Sequence, residues 1–286
     1  MKFTNYSIIT PVKNEINFIQ KTIDSVLSQT ITPFEWIIVD DSSTDGTEDI
    51  IKKASENFTW IKVIKCDENK LKDYSSRVVF LFNYGFNQLS KKVDYISKLD
   101  ADVSFSPTFY QNILAAFNNN PKLGIASGHL TENNIPEKII KTSFICTRGA
   151  TKIYNIKCLE DIGGIINFQG WDTLDNVAAR AKGWEVAIVT EYFEHLKKEG
   201  SKVGNIFFSN FRTGFYNGSV PYLWIYFLIK ISSKIFNKPF FIGSFLQLIG
   251  FIKGRYFSKL KPFPAFIVNQ LHFEQKESLK AILFNK

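Results

Sequence analysis

Residues 36–47 read Trp36-Ile-Ile-Val-Asp-Asp-Ser-Ser-Thr-Asp-Gly-Thr47, and residues 98–103 read Lys98-Leu-Asp-Ala-Asp-Val103. In both stretches an apolar, strand-like run ends abruptly in carboxylates. The carboxyl ends of parallel strands form the edge of an open α/β sheet at which ligands bind. We therefore expect the first stretch to bring acids to a nucleotide and the second to bring acids to a divalent metal ion.

The first part of the chain alternates between strand and helix patterns. The predicted strands are Ser7–Thr10, which Pro11 ends, Glu35–Val39, Trp60–Ile64 and Tyr95–Leu99. The predicted helices are an amphipathic one that opens at Asn14 and Glu15, one at Thr47–Glu56 and one at Ser75–Leu89. This alternation predicts an α/β fold with a mainly parallel sheet and helices on both faces.

The pattern changes after Leu123. A mixed part of the sheet is predicted from strands at Gly124–Gly128, Lys138–Cys146 and Glu185–Thr190, with a helix at Asp172–Lys182. Beyond about Val203 the strand patterns stop, and the apolar runs are Tyr222–Ile229 and Phe240–Ile252. Neither run reaches the roughly 20 apolar residues of a membrane-spanning helix. We predict a catalytic domain over residues 1–202 and a helical, basic and apolar segment over residues 203–286.

Basic charge is concentrated in the C-terminal part of the chain. The formal net charge is +8, and Lys197 to Lys261 holds eleven Lys or Arg against one acid, Glu199. A segment that is both basic and apolar favours an anionic membrane surface as partner, and we expect no nucleic acid. The alternative is a helical cap over the catalytic domain with a solvated basic face.

The cysteines and the N-terminus indicate a cytoplasmic protein. Cys66, Cys146 and Cys158 have irregular spacing, which fits neither a disulfide framework nor a zinc pattern. Residues 1–6 lack the basic start and apolar core of a signal peptide. With the basic apolar segment, this predicts a location peripheral to the inner face of the cell membrane.

Four motifs occur in an order typical of one family. They are Ser7–Glu15, Ile38–Thr47, Leu99–Asp102 and Gly170–Trp184. Because the four motifs occur in this order, the sequence resembles the family 2 glycosyltransferases over residues 5 to about 195. The resemblance implies the GT-A fold, which has a Rossmann-like mixed sheet with helices on both faces. It also implies an inverting transfer of a sugar from a nucleotide-diphosphate donor.

The first two motifs are predicted to build the nucleotide pocket. Pro11 ends the first strand where base and ribose would lie, and Glu15 follows one turn later. Asp41 can accept hydrogen bonds from a base imide or a ribose hydroxyl, and Asp40 assists it or braces the loop. The alternative is that these acids only form turns or cap a helix. Arg77 is a further candidate for contact with the base, by its similar position to an arginine of the family.

The third motif supplies the metal site. By resemblance, Asp102 is the direct metal ligand and Asp100 contacts the ribose or the sugar. Carboxylates together with diphosphate oxygens suit Mn²⁺ or Mg²⁺. His195, in Phe193-Glu-His195, lies where many relatives have a ligand of the metal or the diphosphate.

The fourth motif supplies the catalytic base. The acceptor hydroxyl must lose its proton as it attacks, and a positioned carboxylate removes it. Asp172 aligns with the family's base position, although it could instead cap the helix. Trp171 stands where the family often has glutamate, which predicts a platform for stacking a sugar ring. Asp175 is expected to be an acid near the helix N-terminus that the helix dipole stabilises.

The leading interpretation is a metal-dependent glycosyltransferase at the membrane. Its predicted partners are a nucleotide-diphosphate sugar and a polyprenyl-linked acceptor in cell-surface polysaccharide or glycan assembly. Two alternatives are a transferase of the same fold on a soluble acceptor and a non-catalytic nucleotide-sugar-binding or membrane scaffold protein. A nucleotidyltransferase is disfavoured, because Thr10–Glu15 has no glycine with which to build a triphosphate loop.

Overall fold

The computed structural model describes residues 5–67, 76–132, 135–136, 144–197, 206–233, 235–236, 239–258 and 263–284. The chain forms two compact units. The first contains residues 1–140 and 145–198, and the second contains residues 141–144 and 199–286. The predicted domain boundary after residue 202 lies outside the described residues.

A mixed sheet forms the centre of the first unit. Its strands are β1 Tyr6–Val12, β2 Glu35–Asp40, β3 Ile61–Lys65, β4 Tyr95–Leu99, β5 Val103–Phe105, β6 Leu123–Glu132, β7 Ile135–Pro136, β8 Thr151–Asn155 and β9 Glu185–His195. Their order in the sheet is β3-β2-β1-β4-β8-β6-β9-β5, with β7 paired to β6. The four strands β3, β2, β1 and β4 are parallel to one another, whereas β8 is antiparallel to both of its neighbours.

In the described part of the first unit, six helices follow or connect these strands. They are α1 Ile19–Leu27, α2 Thr47–Asn57, α3 Arg77–Phe86, α4 Phe109–Asn119, α5 Ile156–Asp161 and α6 Trp171–Ala181. All residues of β2 and β4 are buried, as expected for central strands that are covered on both faces. The prediction of a parallel first half and a mixed second half is confirmed.

Several predicted boundaries were wrong for identifiable reasons. β1 continues through Pro11 to Val12. The Val12 carbonyl accepts a hydrogen bond from the Asp41 amide on the β2 side, so Pro11 faces the β4 side, where the pairing of β1 with β4 ends at Ile9. A proline is tolerated there because no neighbouring strand needs its missing N–H group.

Helix α1 begins at Ile19 and not at Asn14. The φ angle of Asn14 is 55°, in the left-handed region that a right-handed helix does not use. At the other end of the unit, β9 runs to His195, five residues beyond the predicted end at Thr190. Residues 138–143 of one predicted strand lie outside the described residues, and residues 144–146 are not a strand.

Helices make up the second unit. They are α7 Ile206–Ser219, α8 Trp224–Ser232, α9 Phe240–Phe257 and α10 Ala265–Phe284. Helices α7 and α9 approach closely, since a Cβ atom added to Gly218 would lie 2.0 Å from the carbonyl oxygen of Phe251. Among the described residues, no helix combines the length and hydropathy that crossing a membrane requires.

Candidate active site

Two loops at the carboxyl edge of the parallel strands are tied together. The backbone amide of Glu15 donates to Thr47 Oγ1 at 2.9 Å, and that of Ile16 donates to Asp45 Oδ2 at 3.1 Å. Asp45 Oδ1 also accepts from the backbone amide of Thr47 at the start of α2. The β1–α1 and β2–α2 loops are therefore fixed relative to each other at the place predicted for the nucleotide. Pro11, which is partly exposed, lies at the start of the first loop.

Asp40 and Asp41 have different roles at the end of β2. Asp40 is fully buried and accepts from the Ser43 amide at 3.2 Å, so it braces the loop. The Asp41 carboxylate accepts from Lys13 Nζ at 3.2 Å and from Arg77 Nε at 3.0 Å. Burial raises the pKa of Asp41, but the hydrogen bonds from Arg77 and Lys13 outweigh it and hold the pKa below its usual value. Arg77 and Lys13 thus keep the Asp41 carboxylate ionised at the place predicted for the nucleotide.

Asp100, Asp102 and His195 form a candidate metal site. One ligand atom from each lies within 4.8 Å of the others. His195 is the last residue of β9 and pairs with Val103 of β5, next to Asp102 in the chain. His195 Nε2 lies 3.7 Å from Asp102 Oδ1, and His195 Nδ1 lies 2.9 Å from the carbonyl oxygen of Lys197. The Lys197 carbonyl accepts a hydrogen bond from the protonated Nδ1 of His195. The unprotonated Nε2 therefore points its lone pair towards the site and can bind a metal.

The electrostatics of this site favour a cation. Burial, followed by the nearby carboxylates of Asp100 and Glu15, raises the pKa of Asp102 to about 6, while His195 and Lys197 act in the opposite direction. Glu15 Oε1 accepts from Lys197 Nζ at 2.6 Å, while Glu15 Oε2 is buried and has no hydrogen-bond partner among the described residues. Acids that are crowded and buried in this way are stabilised by a bound divalent ion.

Lys98 links the metal site to the start of α6. It is almost fully buried at the end of β4, and its ammonium group donates to Asp100 Oδ1 and, at 3.0 Å, to the carbonyl oxygen of Gly149. The same ammonium group lies 5.3 Å from the ring centroid of Trp171. Asp172 is the next residue, so these contacts bring the predicted base to the same region as Asp100.

A network of buried hydrogen bonds holds the first turn of α6 in place. Lys152 Nζ donates to the backbone carbonyl of Asp172 at 2.6 Å and to the Asp175 carboxylate at 2.8 and 3.0 Å. The Tyr154 hydroxyl donates a hydrogen bond to the Asp175 carboxylate, and the Asn176 side chain donates one to the Asp172 carbonyl. The backbone of Asp172 is therefore fixed. Its carboxylate makes no hydrogen bond or ion pair within the part of the chain that the structure describes.

The structure contradicts two expectations for this helix. Trp171 is buried, with 9% of its surface exposed, and its ring packs against Gly149, so it offers no open ring face for a sugar. Asp175 is fully buried, lies beyond the first turn of α6 and is paired with Lys152, so this ion pair and not the helix dipole is what stabilises its carboxylate. Three lysines of the site were not predicted from the sequence: Lys98, Lys152 and Lys197. A lysine inside an otherwise apolar strand was the available signal for the first of these.

The fold is that of a GT-A glycosyltransferase. The family model described as "Glycosyl transferase family 2" matches residues 7–165. The chain belongs to this family.

Curated relatives cover parts of the chain. A putative teichuronic acid biosynthesis glycosyltransferase, TuaG, of Bacillus subtilis is 44% identical over 63 residues, which are 22% of this chain and 25% of that protein. A poly-beta-1,6-N-acetyl-D-glucosamine synthase of Staphylococcus aureus is 29% identical over 181 residues, which are 62% of this chain and 41% of the synthase. The chain thus spans less than half the length of these relatives.

Solved structures share the fold. The mannosyltransferase PcManGT from Pyrobaculum calidifontis, in complex with GDP-Man and Mn²⁺, superposes with a TM-score of 0.60 at 13% identity, over 99% of this chain and 88% of that one. TarS 1–349 of S. aureus, in complex with UDP-GlcNAc, gives a TM-score of 0.55 at 18% identity, over 98% and 82% of the two chains.

Proposed function

We propose that this glycosyltransferase moves a sugar from a nucleotide-diphosphate donor to a polyprenyl-linked acceptor, with inversion, in the assembly of a cell-surface polysaccharide. One observation supports the reaction most. The carboxylate–imidazole cluster of Asp100, Asp102 and His195 is connected through Lys98 to the turn that carries Asp172. An ion site for the leaving group and a base for the acceptor are the two parts that an inverting transfer requires.

The donor pocket consists of the two tied loops and the Asp41–Arg77 pair. The ionised Asp41 carboxylate accepts hydrogen bonds from a base imide or a ribose hydroxyl, and Arg77 keeps it in place. Asp100 is shared between Lys98 and the donor, as its partial exposure allows. Pro11 and Glu15 line the approach from the first loop.

The metal is held by Asp102 and His195, with Asp100 beside them. Two carboxylates and an imidazole fit a divalent ion, and the nitrogen ligand favours Mn²⁺ over Mg²⁺, which prefers oxygen ligands. When bound, the ion supplies positive charge that stabilises the diphosphate leaving group.

Asp172 is the base in this proposal. Its backbone is fixed by Lys152 and Asn176, whereas its carboxylate is free to accept the proton of the attacking hydroxyl. A base of fixed position and open acceptor capacity is what acceptor activation requires. The basic, apolar character of the second unit supports an acceptor in a lipid membrane. In this proposal the enzyme acts at the inner face of the membrane. The similarity to a teichuronic acid biosynthesis glycosyltransferase and to a poly-beta-1,6-N-acetyl-D-glucosamine synthase supports a polysaccharide as the product.

The test is release of a nucleoside diphosphate from a panel of nucleotide sugars with Mn²⁺. We expect one donor to be turned over by the wild type, and turnover to fall at least about a hundredfold in Asp102→Ala and Asp172→Asn. Asp49→Asn, which changes an exposed acid of α2, is the control and should leave the rate unchanged. Binding of Mn²⁺ is measured in parallel by electron paramagnetic resonance, where Asp102→Ala should fail and Asp172→Asn should bind normally. Normal turnover by Asp172→Asn would exclude it as the base.

A further inference from the structure

Helix α9 carries most of its large apolar side chains outward, with the buried Phe251 as an exception. Five residues, between 40 and 68% exposed, recur at spacings of four, four, three and four along the helix: Phe241, Phe245, Ile249, Ile252 and Tyr256. Such spacing puts them on one side of a helix. We name this surface the outer α9 face. A helix on the surface of a globular protein in water normally has the opposite arrangement, with apolar residues inward.

The inner side of α9 contains four small residues, Gly243, Ser244, Gly250 and Gly254, beside Gln247 and Phe251, and the close contacts at its glycines fix the rotation of the helix. A Cβ atom added to Gly250 would lie 2.1 Å from the carbonyl oxygen of Phe211, and one added to Gly254 would lie 2.0 Å from that of Phe215. Helix α7 is therefore packed against the α9 backbone itself. No large side chain of the outer α9 face can turn inward to replace these glycines, because the backbones leave no room.

Charge identifies the partner of this face. Residues 200–273 contain nine Lys or Arg and no Asp or Glu. Lys253 lines a groove of about 360 Å³ together with Ile249, Ile252 and Phe257 of the same helix. A second copy of the chain would bring an equally basic surface to the face, and like charges repel. An anionic lipid surface instead satisfies both the apolar side chains and the bases around them.

We propose that the outer α9 face docks the enzyme on an anionic bilayer. Phe241, Phe245 and Tyr256 enter the boundary between headgroups and acyl chains, and Lys253 and Arg255 contact lipid phosphates. This inference deepens the membrane part of the proposed function and assigns it to one helix face. It depends on no catalytic residue, so it is tested without donor, metal or acceptor.

The experiment is flotation of the full chain with vesicles of phosphatidylglycerol and phosphatidylcholine in equal amounts, against pure phosphatidylcholine. We expect binding to the anionic vesicles that weakens in about 0.5 M salt, where charges are screened over about 4 Å. The double variant Phe241→Ser, Phe245→Ser should bind at least about tenfold more weakly, because two aromatic rings no longer enter the apolar region. The control Phe58→Ser, Ile282→Ser removes exposed apolar side chains outside this face and should bind as the wild type does.

Circular dichroism and light scattering of the same samples make the result decisive. The variants should keep the wild-type helix content, since the substituted side chains are exposed. Equal vesicle binding by the wild type and the double variant would overturn the proposal. Failure of the wild type to bind anionic vesicles would overturn it as well. A wild-type dimer that the double variant converts to a monomer, without vesicle binding, would assign the face to a second copy instead. Donor turnover, measured separately, distinguishes each of these failures from failure of the proposed reaction.

Discussion

Replacing Lys152 by methionine should destabilise the first unit and displace Asp172, the proposed base. The Lys152 and Asp175 side chains are both 0% exposed and lie 2.8 Å apart. Methionine fills a similar volume but leaves the Asp175 carboxylate buried, with the Tyr154 hydroxyl as its remaining partner in this network. Breaking a buried ion pair from one side costs about 3–5 kcal/mol, because an uncompensated charge remains. We expect a loss of this size in urea unfolding at about pH 8.

The loss should depend on pH in a defined direction. Burial raises the pKa of Asp175, and Lys152 and Tyr154 lower it by less, so the pKa lies above its ordinary value. Without Lys152 the folded variant keeps the Asp175 proton to a higher pH than the unfolded chain does. The folded state then binds more protons, so the stability of the variant rises as pH falls. The difference in unfolding free energy between the wild type and Lys152→Met should therefore become smaller as the pH is lowered to about 4, the ordinary range of carboxyl groups.

Two further variants test this reasoning. Adding Asp175→Asn to Lys152→Met removes the buried charge and should restore part of the lost stability. Lys52→Met, which breaks an exposed pair with Glu48 on α2, is the matched control and should change stability little. A loss below about 1 kcal/mol in Lys152→Met, or a double variant less stable than the single one, would refute the buried-charge argument. Turnover gives an independent readout, in which kcat should fall more than KM rises, because Asp172 is misplaced and the donor pocket is not.

Three other predictions follow from single contacts. Arg77→Ala should weaken binding of the nucleoside diphosphate about tenfold or more in calorimetry, because Asp41 loses a charged hydrogen bond that helps to hold it. His195→Gln should weaken Mn²⁺ binding at least about tenfold, measured by electron paramagnetic resonance, since the site loses its nitrogen ligand. Gly250→Val should destabilise the second unit by about 1–3 kcal/mol or more in thermal unfolding, because its Cβ atom would overlap the Phe211 carbonyl.

Each of these has its own control. Arg180→Ala keeps the Asp41 pocket intact and should bind the nucleotide normally, since Arg180 donates to the Ile145 carbonyl. His129→Gln replaces a histidine outside the metal cluster and should keep Mn²⁺ binding. Thr213→Ala changes an exposed residue of α7 and should leave the melting temperature nearly unchanged. If a control shows the same loss as its test variant, the contact named is not the cause.

The sequence alone determined the elements that carry the site. Apolar runs that end in Asp40 and Asp41, or in Asp100 and Asp102, predict central strands, because a short apolar run that ends in turn-forming acids is typical of a strand covered on both faces. The family motifs then identified the reaction class. Local patterns sufficed here because strand type and the residue that follows a strand depend on neighbours in the chain.

Tertiary structure alone decided which groups meet. His195 reaches Asp102 because β9 runs beyond its predicted end and pairs with β5, a three-residue strand too short to give a pattern. Burial of Trp171 over Lys98 likewise depends on packing between segments far apart in the chain. In helix α9 the apolar runs were visible in the sequence, but the direction in which they face was not. The glycine contacts with α7 set that direction, since backbones can touch only where side chains are absent.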